Sequence, residues 1–283
     1  MILSKALCST NHTLSTAGID DAPIEAELLL CHVLGISKTQ LYTETERPLS
    51  SAQTNNVQRL IQRRLLHEPV SYILRRCEFY GIEFYIDHHA LIPRPETELL
   101  VEKAIEAVRH RPPVENFTIA DIGTGSGVVA ISLALALPQA KIYATDISAL
   151  ALQVAEINCR QHQLDNQVEL LQGNLLEPLP ERVDMIVANL PYIRNSELQA
   201  LSPEIVNFEP IIALAGGEDG LDKIRQMLEQ IPEKLNHGGH FLLEIGQDQG
   251  KAVTSLIKKH FPKASVELIP DLSGIDRVVE VMV

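Results

Sequence analysis

The chain has 283 residues, 45% of them apolar, and a formal net charge of −13. That length suits one large domain with a small one, and the apolar share excludes a disordered chain. The acidic balance argues against a duplex-binding surface, which must displace counterions from phosphates. Up to Phe84 the charges nearly cancel, 8 basic against 9 acidic. The remainder holds 16 against 28, so a protein or small-molecule substrate is expected for the C-terminal part.

Four widely spaced cysteines, Cys8, Cys31, Cys77 and Cys159, form no C-x-x-C pair. They read as reduced thiols, with neither a zinc site nor a disulfide framework. No basic leader precedes an apolar stretch, and no apolar run approaches the ~20 residues of a membrane span. A cytoplasmic protein is expected, with no membrane partner and no metal.

The residues before Tyr85 read as helical. Asp20-Asp21-Ala22-Pro23 starts a helix that Gly35 stops, with Leu28, Leu29, Leu30 and Val33 facing a core. Ser50-Ser51 cap another, with Val57, Leu60, Ile61, Leu65 and Leu66 at helical spacing, and Pro69 ends it. This predicts a small helical domain over 1–76. From Cys77 to Ile92 the pattern turns aromatic and β-branched around Gly81, which predicts a β-hairpin linker over 77–92. Pro93-Arg94-Pro95-Glu96-Thr97-Glu98 then opens a helix through Val108, with Pro95 and the acids suited to its first turn.

Beyond residue 113 strands and helices alternate. Strands are expected at 117–121, 141–146, 168–173 and 183–189. A further strand at 240–246 follows a Gly238-Gly239 turn, and two more close the chain at 265–270 and 276–283. Helices fall at 128–137, at 149–159 behind Ser148, at 221–235 and at 249–260. Such alternation predicts an α/β fold, a doubly wound parallel sheet, over 93–283.

Asp121-Ile122-Gly123-Thr124-Gly125-Ser126-Gly127 follows the first of these strands and precedes its helix. Glycines let the backbone approach a ligand, and the helix N-terminus offers unpaired N–H groups. The alternative is a tight turn that binds nothing. No Gly-Lys-Ser/Thr follows, which excludes a nucleoside triphosphate loop. Gly125 to Ala130 satisfies G-x-G-x-x-A, and Asp146 at the next strand end suits a ribose diol. This half of the site therefore fits a dinucleotide or S-adenosylmethionine. Asp121 leans toward the latter, because a carboxylate repels a pyrophosphate and receives a cationic amino group. Its alternative role is a loop cap.

Asn189-Leu190-Pro191-Tyr192 follows the fourth strand. In an open α/β sheet, ligands sit outside the carboxyl ends of strands. A planar –NH₂ has its lone pair drawn into a π system. Acceptors aimed at both N–H bonds return density to the nitrogen and fix its orientation. Asn189 Oδ1 and a carbonyl of the Leu190–Pro191 turn can supply them, and Tyr192 offers a flat face. The alternative is an Asn-x-Pro turn with Tyr192 as core filler. The chemistry points to a methyltransferase acting on a planar nitrogen, without choosing between an amide and a nucleobase.

The sequence resembles the HemK/PrmC family, the peptide-chain release factor glutamine methyltransferases. The resemblance rests on Pro93 to Glu98, Asp121 to Gly127, Asp146-Ile-Ser, Asn158 and Asn189 to Tyr192. It continues through Phe208-Glu-Pro210, Ala213 to Gly217, Asp219-Gly-Leu221, Glu244-Ile-Gly246 and Asp271 to Arg277. It implies a Rossmann-like methyltransferase sheet behind a substrate-recognising helical domain. The implied reaction is methylation of the glutamine amide nitrogen in the Gly-Gly-Gln loop of release factors, with S-adenosylmethionine as cofactor. Gly123, Thr124, Gly125, Ser126, Gly127, Asp146 and Asn189 would then hold the cofactor, with Asn174 beside its adenine. Asn189, Leu190, Pro191 and Tyr192 would hold the glutamine, with Asn189, Pro191 and Tyr192 as the catalytic set. Two departures stand out: the family often has Pro at Leu190, and Gly-Asp where this chain has Gly173-Asn174.

The rivals are an amino methyltransferase for a nucleic-acid base or for another protein glutamine, a dehydrogenase, and a non-enzymatic module. The acidic catalytic half and the lack of a basic insertion argue against direct nucleic-acid contact. Arg59, Arg63, Arg64, Arg75 and Arg76 form the one basic cluster, read as a solvated face or as a contact for an acidic partner. His88, His89, His237 and His240 read as surface or turn residues, and Glu96 and Glu98 as helix-start charges. A monomer is expected.

Overall fold

The computed structural model describes residues 1–110 and 117–283. Residue 113, where the alternation was expected to begin, lies outside the described residues. Two compact units emerge, one of residues 1–76 with 202–208, the other of residues 77–201 with 209–283.

The first unit is helical: α1 (Leu3–Thr16), α2 (Ala22–Leu34), α3 (Lys38–Thr43), α4 (Ser51–Leu65) and α5 (Val70–Leu74). Ser50 and Ser37 each head a capping box, with Gln53 and Gln40 answering from the third helical position. Such reciprocal caps satisfy two orphan N–H groups and contribute about 1 kcal/mol. Leu29 and Leu30 are buried, while Leu28 and Val33 pack partly against the same core. Leu66 was expected to face this core. It instead lies just past the end of α4 and is 72% exposed.

The basic cluster is divided. Arg64 is buried, its Nε donating to Glu25 Oε2 at 2.5 Å and its Nη2 to Glu204 Oε1 at 2.5 Å. Arg63 pairs with Glu68. A guanidinium taken out of water is tolerable only with such partners, so Arg64 is a structural cation and not a surface contact. Its partner Glu204 sits on a short helix that belongs to this unit although it comes late in the chain.

The second unit begins with the hairpin β1 (Cys77–Phe79) and β2 (Ile82–Phe84). The segment expected as a linker is part of this unit, because Phe79 and Phe84 are buried in its core. The following helix, α6 (Thr97–Arg109), starts later than expected. Pro95 and Glu96 form the turn before it.

Next come β3 (Thr118–Ile122), α7 (Val128–Ala136), β4 (Lys141–Asp146), α8 (Ala149–Gln161), β5 (Val168–Gln172) and β6 (Val183–Ala188). Two single 3-10 turns flank α9 (Pro203–Phe208), the helix that carries Glu204. The chain closes with α10 (Asp222–Lys234), β7 (Leu235–Glu244), α11 (Gly250–His260), β8 (Ser265–Pro270) and β9 (Asp276–Met282). Sheet order is β5-β4-β3-β6-β7-β9-β8. Met185 to Ala188 are all buried, the unbroken apolar run of a strand covered on both faces.

Two expectations are corrected. The sheet is parallel only through β7, since β9 runs antiparallel to both β7 and β8. Gly238-Gly239 does not precede β7 as a turn; it lies within it, and His240 is buried on that strand. Among the described residues, no helix is long and apolar enough to cross a membrane.

β4 and β6 flank β3, so the chain reverses its direction of growth across the sheet there. The crevice outside the carboxyl ends of β3 and β6 is where such sheets bind ligands. Asn158 of α8 secures one wall of it. Its Nδ2 donates to Tyr85 O at 2.9 Å and Ser126 O at 2.8 Å, and its Oδ1 accepts from Tyr85 N at 2.7 Å. One fully buried amide thus ties the hairpin to the glycine loop. Asn158→Leu removes three hydrogen bonds to the Tyr85 and Ser126 backbone, each worth roughly 1 kcal/mol or more. Denaturant unfolding is expected to show a loss of at least about 3 kcal/mol, and an unchanged midpoint would refute this linkage.

Candidate active site

A cavity opens at this crevice. Gly123, Gly125 and Asp146 line it together with Asn174, Leu175, Asn189, Leu190 and Pro191. Two loops 66 positions apart in the sequence, read separately above, therefore share one cavity.

The glycine loop divides its labour. At Gly125 φ is +56°, and a side chain would meet nothing closer than Gly123 O at 4.0 Å, so the backbone there faces open space. Thr124, Ser126 and Gly127 do not line the cavity. Thr124 Oγ1 donates to Asp121 Oδ2 at 2.6 Å, Ser126 O receives Asn158, and Gly127 packs on Ala155. These three build the turn.

Asp121 is buried, and its Oδ2 also accepts from Ala130 N at 3.1 Å. It caps the loop, the second of the two roles considered for it. Burial pushes its carboxyl up to about 7, against the hydrogen bonds from Thr124 and Ala130.

Asp146 faces the cavity. Its Oδ2 accepts from Gly125 N at 2.9 Å and its Oδ1 from Ser148 N at 2.8 Å. Burial raises its pKa, against backbone hydrogen bonds that favour the charge. Each carboxylate oxygen retains a lone pair for a hydroxyl. The fit to an adenosyl cofactor rests on this carboxylate beside the open glycine backbone. Asn174 lines the cavity and donates from Nδ2 to Glu177 Oε1 at 2.9 Å.

Asn189 is half-buried, and its Nδ2 donates to Thr97 Oγ1 at 3.0 Å. Its Oδ1 is left as an acceptor. Tyr192 is not in the cavity wall. Its ring abuts Gly246, its hydroxyl donates to Glu244 Oε1 at 3.4 Å, and its carbonyl accepts from Gln249 Nε2 at 3.1 Å. It borders a second recess with Arg194, Gly246 and Gln249. The motif thus stands between two depressions.

Sequence reasoning missed several supports. Arg94 Nη2 donates to both Glu209 oxygens, at 2.7 and 2.9 Å. Gly216 N donates to Ile193 O at 2.8 Å, and a side chain at Gly216 would lie 2.8 Å from Pro191 O and Tyr192 Cα. Ile245 N donates to Arg277 O at 2.9 Å. The segments flanking the motif therefore hold one another. Glu98 accepts from Tyr80 N at 2.8 Å, fastening the hairpin. Asp87, His88 and His89 lie close enough to share an ion. However, Asp87 already accepts from Tyr85 Oη at 2.9 Å and His89 N at 3.0 Å.

Residues 5–74 match the PrmC N-terminal domain and residues 96–208 the methyltransferase small domain. A release factor glutamine methyltransferase of Moorella thermoacetica is 40% identical over 98% of this chain and 97% of its own. The chain belongs to the release factor glutamine methyltransferase family. Another member, from Neisseria gonorrhoeae, is 43% identical over 92% of this chain and 94% of its own. The N-terminal domain of human METTL16, solved in complex with SAH, shares the fold. It has a TM-score of 0.50 and 17% identity, over 71% of this chain and 76% of that one. The chain is an S-adenosylmethionine-dependent methyltransferase.

Glu244 adds a measurable consequence. Burial is the largest influence on its carboxyl and pushes it up to about 7, as with Asp121. Unfolded carboxyls titrate near 4. A group that holds its proton more tightly when folded stabilises the fold below the unfolded value. That contribution is lost as pH rises through the folded value. The stability contributed by Glu244 and Asp121 is therefore expected to fall from about pH 4 to above 7, and Glu244→Gln to remove its share of that slope. Thermal unfolding of both proteins across that range checks this, and identical pH slopes would contradict it.

Proposed function

We propose that this methyltransferase modifies the side-chain amide nitrogen, N5, of the glutamine in the Gly-Gly-Gln loop of peptide chain release factors. The observation that carries the reading is the shared cavity, lined by Gly123, Gly125 and Asp146 together with Asn189, Leu190 and Pro191. Family membership supports the protein substrate.

The glycine loop and Asp146 hold the cofactor, with Asn174 at its adenine end and Thr124, Ser126 and Gly127 keeping the turn in shape. Bound S-adenosylmethionine supplies an electrophilic methyl group on a sulfonium. Asn189 Oδ1 and the Leu190 carbonyl accept the two amide N–H bonds, which localises the lone pair and aims it. Pro191 stiffens the turn that presents the carbonyl. Tyr192 walls the second recess, through which the glutamine enters. Transfer forms the N–CH₃ bond as the methyl–sulfur bond breaks and its electron pair stays on sulfur, and one amide proton passes to water.

Residues 1–76 grip the body of the release factor, and the enzyme works as a cytoplasmic monomer without direct nucleic-acid contact. Transfer of labelled methyl from the cofactor tests the reading. Label is expected in release factor, and label in DNA or RNA with none in release factor would overturn it.

A further inference from the structure

The Asn189 amide is useful only one way round. Flipped by half a turn it would present Nδ2, a donor, to an amide nitrogen that needs acceptors. Sterics barely distinguish the two orientations, so a neighbouring group must. Among the described residues, the Asn189 side chain hydrogen-bonds the Thr97 hydroxyl, at 3.0 Å. Thr97 is the first residue of α6 and is buried at 3% exposure. Its hydroxyl caps no helix, since residue 96 occupies that place and makes no side-chain cap bond.

A hydroxyl can donate as well as accept, so its own proton must be engaged elsewhere for it to act as an acceptor toward Asn189. The buried Glu244 carboxyl interacts with it. Thr97 and Tyr192 both contribute hydrogen bonding that favours its charged form. Among the described residues Glu244 Oε2 has no hydrogen-bond partner, so this carboxyl has acceptor capacity to spare.

Resting on the proposed reading of Asn189 as the amide acceptor, we propose that Thr97 is the positioning residue of the methyl-accepting site. Its hydroxyl accepts the Asn189 Nδ2–H and so holds Oδ1 toward the substrate amide. Thr97 touches neither substrate nor cofactor in this arrangement. It acts through Asn189.

The test compares Thr97→Val, which keeps the shape and removes the hydroxyl, with Thr97→Ser, which restores it. Methylation of purified release factor is measured for each, with cofactor affinity by calorimetry and thermal midpoint alongside. Thr97→Val is expected to lower kcat on the order of 10- to 100-fold, the usual penalty for a misplaced reacting group. KM for release factor and cofactor affinity should stay near wild type, and Thr97→Ser should recover most of the rate. Wild-type kcat in Thr97→Val would overturn the proposal, as would a serine variant no better than valine. So would a kcat loss that merely follows a fall in cofactor affinity or thermal midpoint. Failure of the wild-type chain to methylate release factor would instead reject the underlying reading of the site.

Discussion

Asn189→Ala is expected to lower methyl transfer by roughly 1,000-fold while leaving the fold intact. The size follows from what the side chain does. Amide nitrogen is a poor nucleophile because its lone pair is delocalised, and one of the two acceptors that localise it would be gone. Preorganised polar groups in a closed site cost nothing to reorient at the moment of reaction, so losing one is expensive. The fold should be spared because Asn189 is half-buried and its side chain hydrogen-bonds Thr97 at the cavity edge. A transfer assay with a thermal midpoint checks both halves. Wild-type turnover in this variant would remove the acceptor role.

Asp146→Ala is expected to weaken S-adenosylmethionine binding by roughly 100-fold or more, from the loss of hydrogen bonds to a charged group at about 1.5–3 kcal/mol each. A second effect adds to it. Asp146 also holds Gly125 N and Ser148 N, at 2.9 and 2.8 Å, so its loss loosens the loop that faces the cofactor. Asp146→Asn keeps one acceptor oxygen and should fall between. Calorimetric titration of the three proteins orders them, and equal affinities would show that Asp146 holds only the loop.

The alternation of strands and helices was legible because buried parallel strands are unbroken apolar runs. The two cavity loops were legible because glycine clusters and Asn-Leu-Pro-Tyr are chemically dense. Other features were present in the sequence but pass easily unread. Ser37-Lys-Thr-Gln40 is a capping box, so α3 had a start signal. The connection from Asp271 to Ile275 is too short for a crossover, which is why β9 runs antiparallel to β8. Arg64 could not be read, since only the folded chain places Glu25 and Glu204 around it. Thr97 was legible as part of a helix start, whereas its bond to Asn189 joins residues 92 positions apart. Tyr192 matches its motif, yet its orientation toward Glu244 and Gly246 depends on segments far along the chain.

Peptide mass spectrometry of a release factor incubated with this chain and S-adenosylmethionine tests the central claim most directly. The account predicts one added methyl, on the side-chain nitrogen of the Gly-Gly-Gln glutamine. A release factor left unmodified, or methylated at another residue, would contradict it.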